Sequence, residues 1–62
     1  MEPLVIDYMN WQGEQRLRKV KPRGVSWGSN EWHPHPQWLM EAVDLEDGTI
    51  KSFAMKGIIR VI

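Results

Sequence analysis

Apolar residues in this chain recur at every second position, and nowhere at the three- and four-residue spacing that a long amphipathic helix requires. That periodicity commits the chain to strands. Leu4–Asn10 alternates Leu4, Ile6 and Tyr8 against Val5, Asp7 and Met9, so both faces carry apolar weight. Gln12-Gly13 reads as a turn, and Glu14–Lys21 returns as a more polar strand. Pro22 has no N–H for a ladder, so it marks a strand end, a bulge or an edge. Val25-Ser26-Trp27 predicts a short third strand ahead of the turn cluster Gly28-Ser29-Asn30. His33-Pro34-His35-Pro36 reads as an extended, stiff loop, because each proline drives the residue before it toward extended geometry. Gln37–Asp44 carries the clearest strand pattern. Leu45-Glu46-Asp47-Gly48 is its hairpin turn and Thr49–Met55 its partner. Lys56-Gly57 gives a tight turn, and Ile58–Ile62 a last strand.

Five or six short strands in 62 residues predict one all-β domain spanning residues 1–62. A strongly bent antiparallel sheet closed as a small barrel is the expected form, since closure removes edges that so short a chain has no helices to cover. Size scaling predicts a folded surface of about 4,200 Å². The chain has no cysteine, so no disulfide framework is expected and no oxidising compartment is implied. Apolar runs stop at three or four residues, which excludes a membrane-spanning helix or a signal-peptide core, and a cytoplasmic location without membrane contact is expected.

Eight basic and eight acidic residues balance, but they are segregated along the chain. Arg16, Arg18, Lys19, Lys21 and Arg23 form a basic strip, and Glu41, Asp44, Glu46 and Asp47 an acidic one. Zero net charge argues against a general nucleic-acid coat protein. The basic strip reads either as an anion footprint or as a solvated strand face.

The C-terminal hairpin carries a family pattern. Trp38-Leu39-Met40-Glu41-Ala42-Val43-Asp44, then Gly48, then Lys51-x-Phe53-x-Met55-x-x-Ile58, resembles the WYL domain, as do Tyr8 and Arg18-x-x-x-Pro22-x-x-Val25 upstream. The resemblance runs from about Ile6 to Ile59. The eponymous Trp-Tyr-Leu triplet departs at two positions, with Leu39 and Met40 in place of Tyr and Leu, and Lys51 stands where Arg is common. The resemblance implies a five-stranded SH3-like or Sm-like β-barrel. It also implies a ligand-sensing or nucleic-acid-binding module of the kind found in bacterial regulators and in phage- or defence-associated proteins.

Binding residues follow from charge and aromaticity. On a strand, Arg16 and Arg18 share one face near Tyr8, and guanidinium forks hold phosphate or carboxylate oxygens bidentately. The resemblance adds Lys51 and Lys56. Trp11, beside the first turn, is a candidate stacking platform for a base. Trp38 is expected in the core, and Trp27 and Trp32 either cap an open barrel end or form an exposed binding surface. The candidate ligand site is therefore Tyr8, Trp11, Arg16, Arg18, Lys51 and Lys56, holding a nucleotide or nucleic acid. The alternative is a protein-interaction or homo-oligomeric assembly module, suggested by apolar residues on both faces of the first and last strands.

No cofactor, metal or catalytic residue is assigned. Glu31, His33 and His35 are potential metal donors, or a metal bridge between subunits, but no third strong ligand follows at a recognisable interval. Pairing of either histidine with Glu31 or Asp44 is an equal expectation. Ser26, Ser29 and Ser52 lack any nucleophile-elbow context. Glu41 and Asp44 fall on opposite faces of one strand and do not form an acid/base pair.

Overall fold

The computed structural model describes residues 2–62, which form one antiparallel five-stranded sheet with no α-helix among them. The strands are β1 (Leu4–Met9), β2 (Gln15–Gly28), β3 (Gln37–Asp44), β4 (Ile50–Ala54) and β5 (Ile58–Val61). A single 3-10 turn, Met55–Gly57, joins β4 to β5. The order across the sheet is β4-β3-β2-β1-β5. The accessible surface is 4355 Å², close to the size expectation.

Local chemistry closes each hairpin. In the first, the Asn10 carboxamide oxygen accepts the N–H groups of Gln12 and Glu14, both at 2.9 Å. Gly13 there takes the left-handed φ of 82° that a side chain would resist. In the second, the Gly48 N–H donates to the Asp44 carbonyl at 2.7 Å, with Gly48 at φ 75°. The Asp-Gly signal located this turn correctly.

Register sorts the faces. Leu4↔Val20, Ile6↔Arg18 and Tyr8↔Arg16 align β1 with β2, while Met40↔Phe53 and Ala42↔Lys51 align β3 with β4. One face therefore collects Ile6, Tyr8, Val20, Met40, Ala42 and Phe53 as a buried cluster, flanked by Leu4 and Ile58. Tyr8 ties the sheet across this face. Its ring meets Phe53 edge-on at 5.1 Å, and its hydroxyl accepts the Ala54 N–H at 2.9 Å. Since β2 and β3 lie between β1 and β4 in the sheet, that bond requires the sheet to curl strongly.

Two expectations are corrected. The segments Glu14–Lys21 and Val25–Trp27 are parts of one long strand, because Pro22 is absorbed by a bulge. Pairing passes from Pro22↔Ala42 to Gly24↔Glu41, which leaves Arg23 as the extra residue. Trp38 is outside the core. It pairs with Trp27 at the far end of β2 and β3, the rings T-shaped at 5.5 Å. The reason is strand length: β4 pairs with β3 only as far as Leu39 and β1 with β2 only as far as Val20, so β2 is the one strand that flanks Trp38. All four tryptophans are 55–61% exposed. Trp27 and Trp32 therefore do not serve as buried plugs.

Gly57 sets the entry to β5. A Cβ there would lie 2.5 Å from the Met9 carbonyl oxygen and 2.8 Å from Tyr8 Cε1. Gly57→Ala is expected to lower the unfolding free energy by about 1–3 kcal/mol through overpacking. Gly24→Ala, with open space around it, should change it by less than about 0.5 kcal/mol. Denaturant midpoints that move equally for both would refute the close packing of the 3-10 turn on Tyr8.

Candidate functional site

The basic and acidic strips, separate in sequence, meet in the sheet. Val20↔Asp44 and Gly24↔Glu41 bring them onto neighbouring strands. Asp44 is the centre, only 2% exposed. Its Oδ2 accepts from Arg18 Nη2 at 2.5 Å and Lys51 Nζ at 2.8 Å, and its Oδ1 accepts the Glu46 N–H at 3.0 Å. Burial pushes this carboxyl upward, but the Lys51 ammonium, the Glu46 N–H and the Arg18 guanidinium outweigh it and hold the pKa below the ordinary value. Lys51 also reaches Asp47 at 2.9 Å, and the two carboxylates raise its own pKa. Peripheral pairs are looser, Arg16–Glu46 at 3.5 Å and Arg23–Glu41 at 3.7 Å, and both are solvent-exposed. Such pairs contribute little.

Beside this cluster lies a cleft of ≈ 390 Å³. Tyr8 of β1, Arg18 of β2 and Lys51 and Phe53 of β4 form its floor, and Trp11 and Trp32 come from two separate loops. The guanidinium of Arg18 lies 5.5 Å from the Phe53 ring centroid, a cation–π contact that orients it. Its Nε is buried without a hydrogen-bond partner among the described residues. An unpaired buried donor costs on the order of 1–3 kcal/mol.

Of the expected binding residues, Tyr8, Trp11, Arg18 and Lys51 line this one cleft. Lys56 lines an adjoining compartment, and Arg16 lines neither. Arg16 shares the predicted face, but it pairs opposite Tyr8 at the exposed end of the hairpin and extends toward Glu46. Trp32, Phe53 and His33 complete the cleft. The alternation of Lys51 and Phe53 on one strand is the signal that reaches Phe53, whereas nothing in the sequence brings Trp32 and His33 of the long loop to the cleft beside β4.

His33 is buried and lines both compartments. Its backbone N–H donates to the Asn30 side chain at 2.8 Å, which fixes the loop. Neither histidine pairs with Glu31 or Asp44, contrary to expectation, and no group of three or more potential metal ligands occurs among the described residues. Burial, aided by the Lys56 charge, lowers the His33 pKa.

Two acid transitions follow. His33 has a folded pKa below its ordinary 6.5, so the unfolded chain binds its proton first, and stability falls as pH drops from that value. Asp44 has a folded pKa below the ordinary 3.8. Its contribution is complete above that value and is lost as pH falls through the folded one. Denaturant midpoints are expected to decline once near pH ~6 and again below pH ~4. His33→Gln should remove only the first decline. A midpoint independent of pH from ~7 to ~5 in the parent chain sinks the buried-imidazole assignment.

Against protein-family models, curated proteins and solved structures, the chain finds no match.

Proposed function

We propose that the chain is a non-enzymatic binding module of the WYL type that holds an anionic, base-bearing ligand, a nucleotide or a nucleic acid, in the aromatic cleft. The observation that carries this reading is convergence. Tyr8, Trp11, Arg18 and Lys51 come from three strands and a turn, yet they line one opening with Trp32 and Phe53. Exposed indoles provide π-faces for a planar ring, and the neighbouring guanidinium and ammonium provide donors for phosphate oxygens. The proposed frame is an SH3-like or Sm-like barrel. Supporting it are the strand order, the 3-10 turn linking the edge strands β4 and β5, and the Tyr8–Ala54 bond across the curled sheet. No helix is long and apolar enough to cross a membrane among the described residues.

Calorimetric titration with adenosine monophosphate at low salt tests the reading. Binding is expected to weaken as salt rises. Trp11→Ala and Trp32→Ala should each weaken it about fivefold to a hundredfold, the loss of one stacking face. Both side chains are exposed, so folding stability should change by less than about 0.5 kcal/mol. Absence of binding, or binding indifferent to both substitutions, overturns the proposal.

The second reading, a homo-oligomeric or protein-interaction module, rests on a different surface. Trp27 and Trp38 form an exposed pair, and Ile59, Val61 and Ile62 are exposed along the edge strand β5 and its end. Open edges of this kind template pairing with another chain. Sedimentation is then expected to show self-association at high micromolar concentration, and a strict monomer removes the self-assembly version.

A further inference from the structure

The aromatic cleft is one half of a longer groove. A second compartment of ≈ 300 Å³ shares Asn10, Trp11, Trp32 and His33 with the first. From there it continues to Lys56 and Gly57 of the 3-10 turn and to Gln37 of β3. Trp11 and Trp32 thus stand at the waist between two chambers, each at the small end of the range for ligand pockets.

Three features describe what fits such a groove. Two indoles at a waist present stacking surface to both chambers. Each chamber is lined by one residue with a buried, unpartnered polar atom: the Arg18 Nε donor in the first and the Gln37 Oε1 acceptor in the second. Base edges carry both donors and acceptors, so a side-chain shift that opens either atom to its chamber lets a base edge supply the missing partner. Lys56 is the third feature. Among the described residues it pairs with no carboxylate, unlike Arg18 and Lys51, and its charge acts on His33 at the waist. A cation without a carboxylate partner among the described residues therefore lines the second chamber.

We propose that the groove takes a dinucleotide step of single-stranded nucleic acid, with one base in each chamber, Trp11 and Trp32 against them, and Lys56 on the phosphate that enters the second chamber. This rests on the nucleotide reading of the cleft. A lone mononucleotide occupies one chamber and leaves the other empty. A duplex keeps its bases stacked inward and offers no ring to the indoles.

The test compares adenosine monophosphate with the adenine dinucleotide and trinucleotide by calorimetry at one low salt concentration. Ribose and deoxyribose forms run in parallel, and the stated margin in either form supports the proposal. The dinucleotide is expected to bind at least about fivefold more tightly than the mononucleotide, one further stacked base. The trinucleotide should add no more than about twofold beyond that, since no third chamber exists for its extra base. Lys56→Ala should reduce dinucleotide affinity by a larger factor than mononucleotide affinity, and Lys56→Arg should keep the dinucleotide advantage. Equal affinity for mononucleotide and dinucleotide overturns the two-chamber assignment while leaving the binding module standing. Failure of all three ligands to bind overturns both.

Discussion

The buried carboxylate of Asp44 holds this domain in register. Removing a carboxylate from water costs several kcal/mol unless cations and N–H donors surround it. Here the compensating groups come from three places: Arg18 on β2, Lys51 on β4 and the backbone of the β3–β4 turn. Any shift of β2 or β4 by one residue turns a cation to the opposite face and leaves the charge unpaired. The turn is held to β2 as well, through the Leu45 N–H and the Lys19 carbonyl at 2.9 Å. The interaction is thus a device for specificity as much as for stability, and it positions Arg18 and Lys51 on the floor of the cleft.

The aromatic residues divide by size. The core uses one tyrosine and one phenylalanine packed edge-to-face, with small and medium aliphatic residues around them. Every tryptophan stays more than half exposed. Large exposed aromatic area on so small a protein is unfavourable for solubility and invites association. It is concentrated in two separate places, the residues shared by the two compartments and the tip of β2 and β3.

The pairing of Arg18 and Lys51 with Asp44 and Asp47 changes the character of the proposed site. A cleft with two free cations would act as a general anion trap. With the charges neutralised inside the protein, attraction at long range is weak, and selectivity shifts to stacking and to hydrogen bonds at short range. Lys56 remains the exception and supplies a localised charge.

Most of the fold was legible in the order of residues. Alternation at Leu4–Tyr8 and Gln37–Asp44, and glycines at positions 13 and 48, specify strands and turns because pleat periodicity and left-handed backbone are local properties. Basic and aromatic residue types nominated most of the cleft. Local pattern was insufficient at Pro22, where a bulge joined two apparent strands into one, and at Trp38, whose burial depends on how far β1 and β4 extend. The sequence by itself determined an all-β chain with its turns, a core of alternating apolar positions and a set of cations. Only the tertiary structure decided that the cations of β2 meet the anions of β3, and that Trp32 and His33 line one cleft with β4. Those outcomes are set by strand register and loop trajectory, and both depend on contacts between residues far apart in the chain.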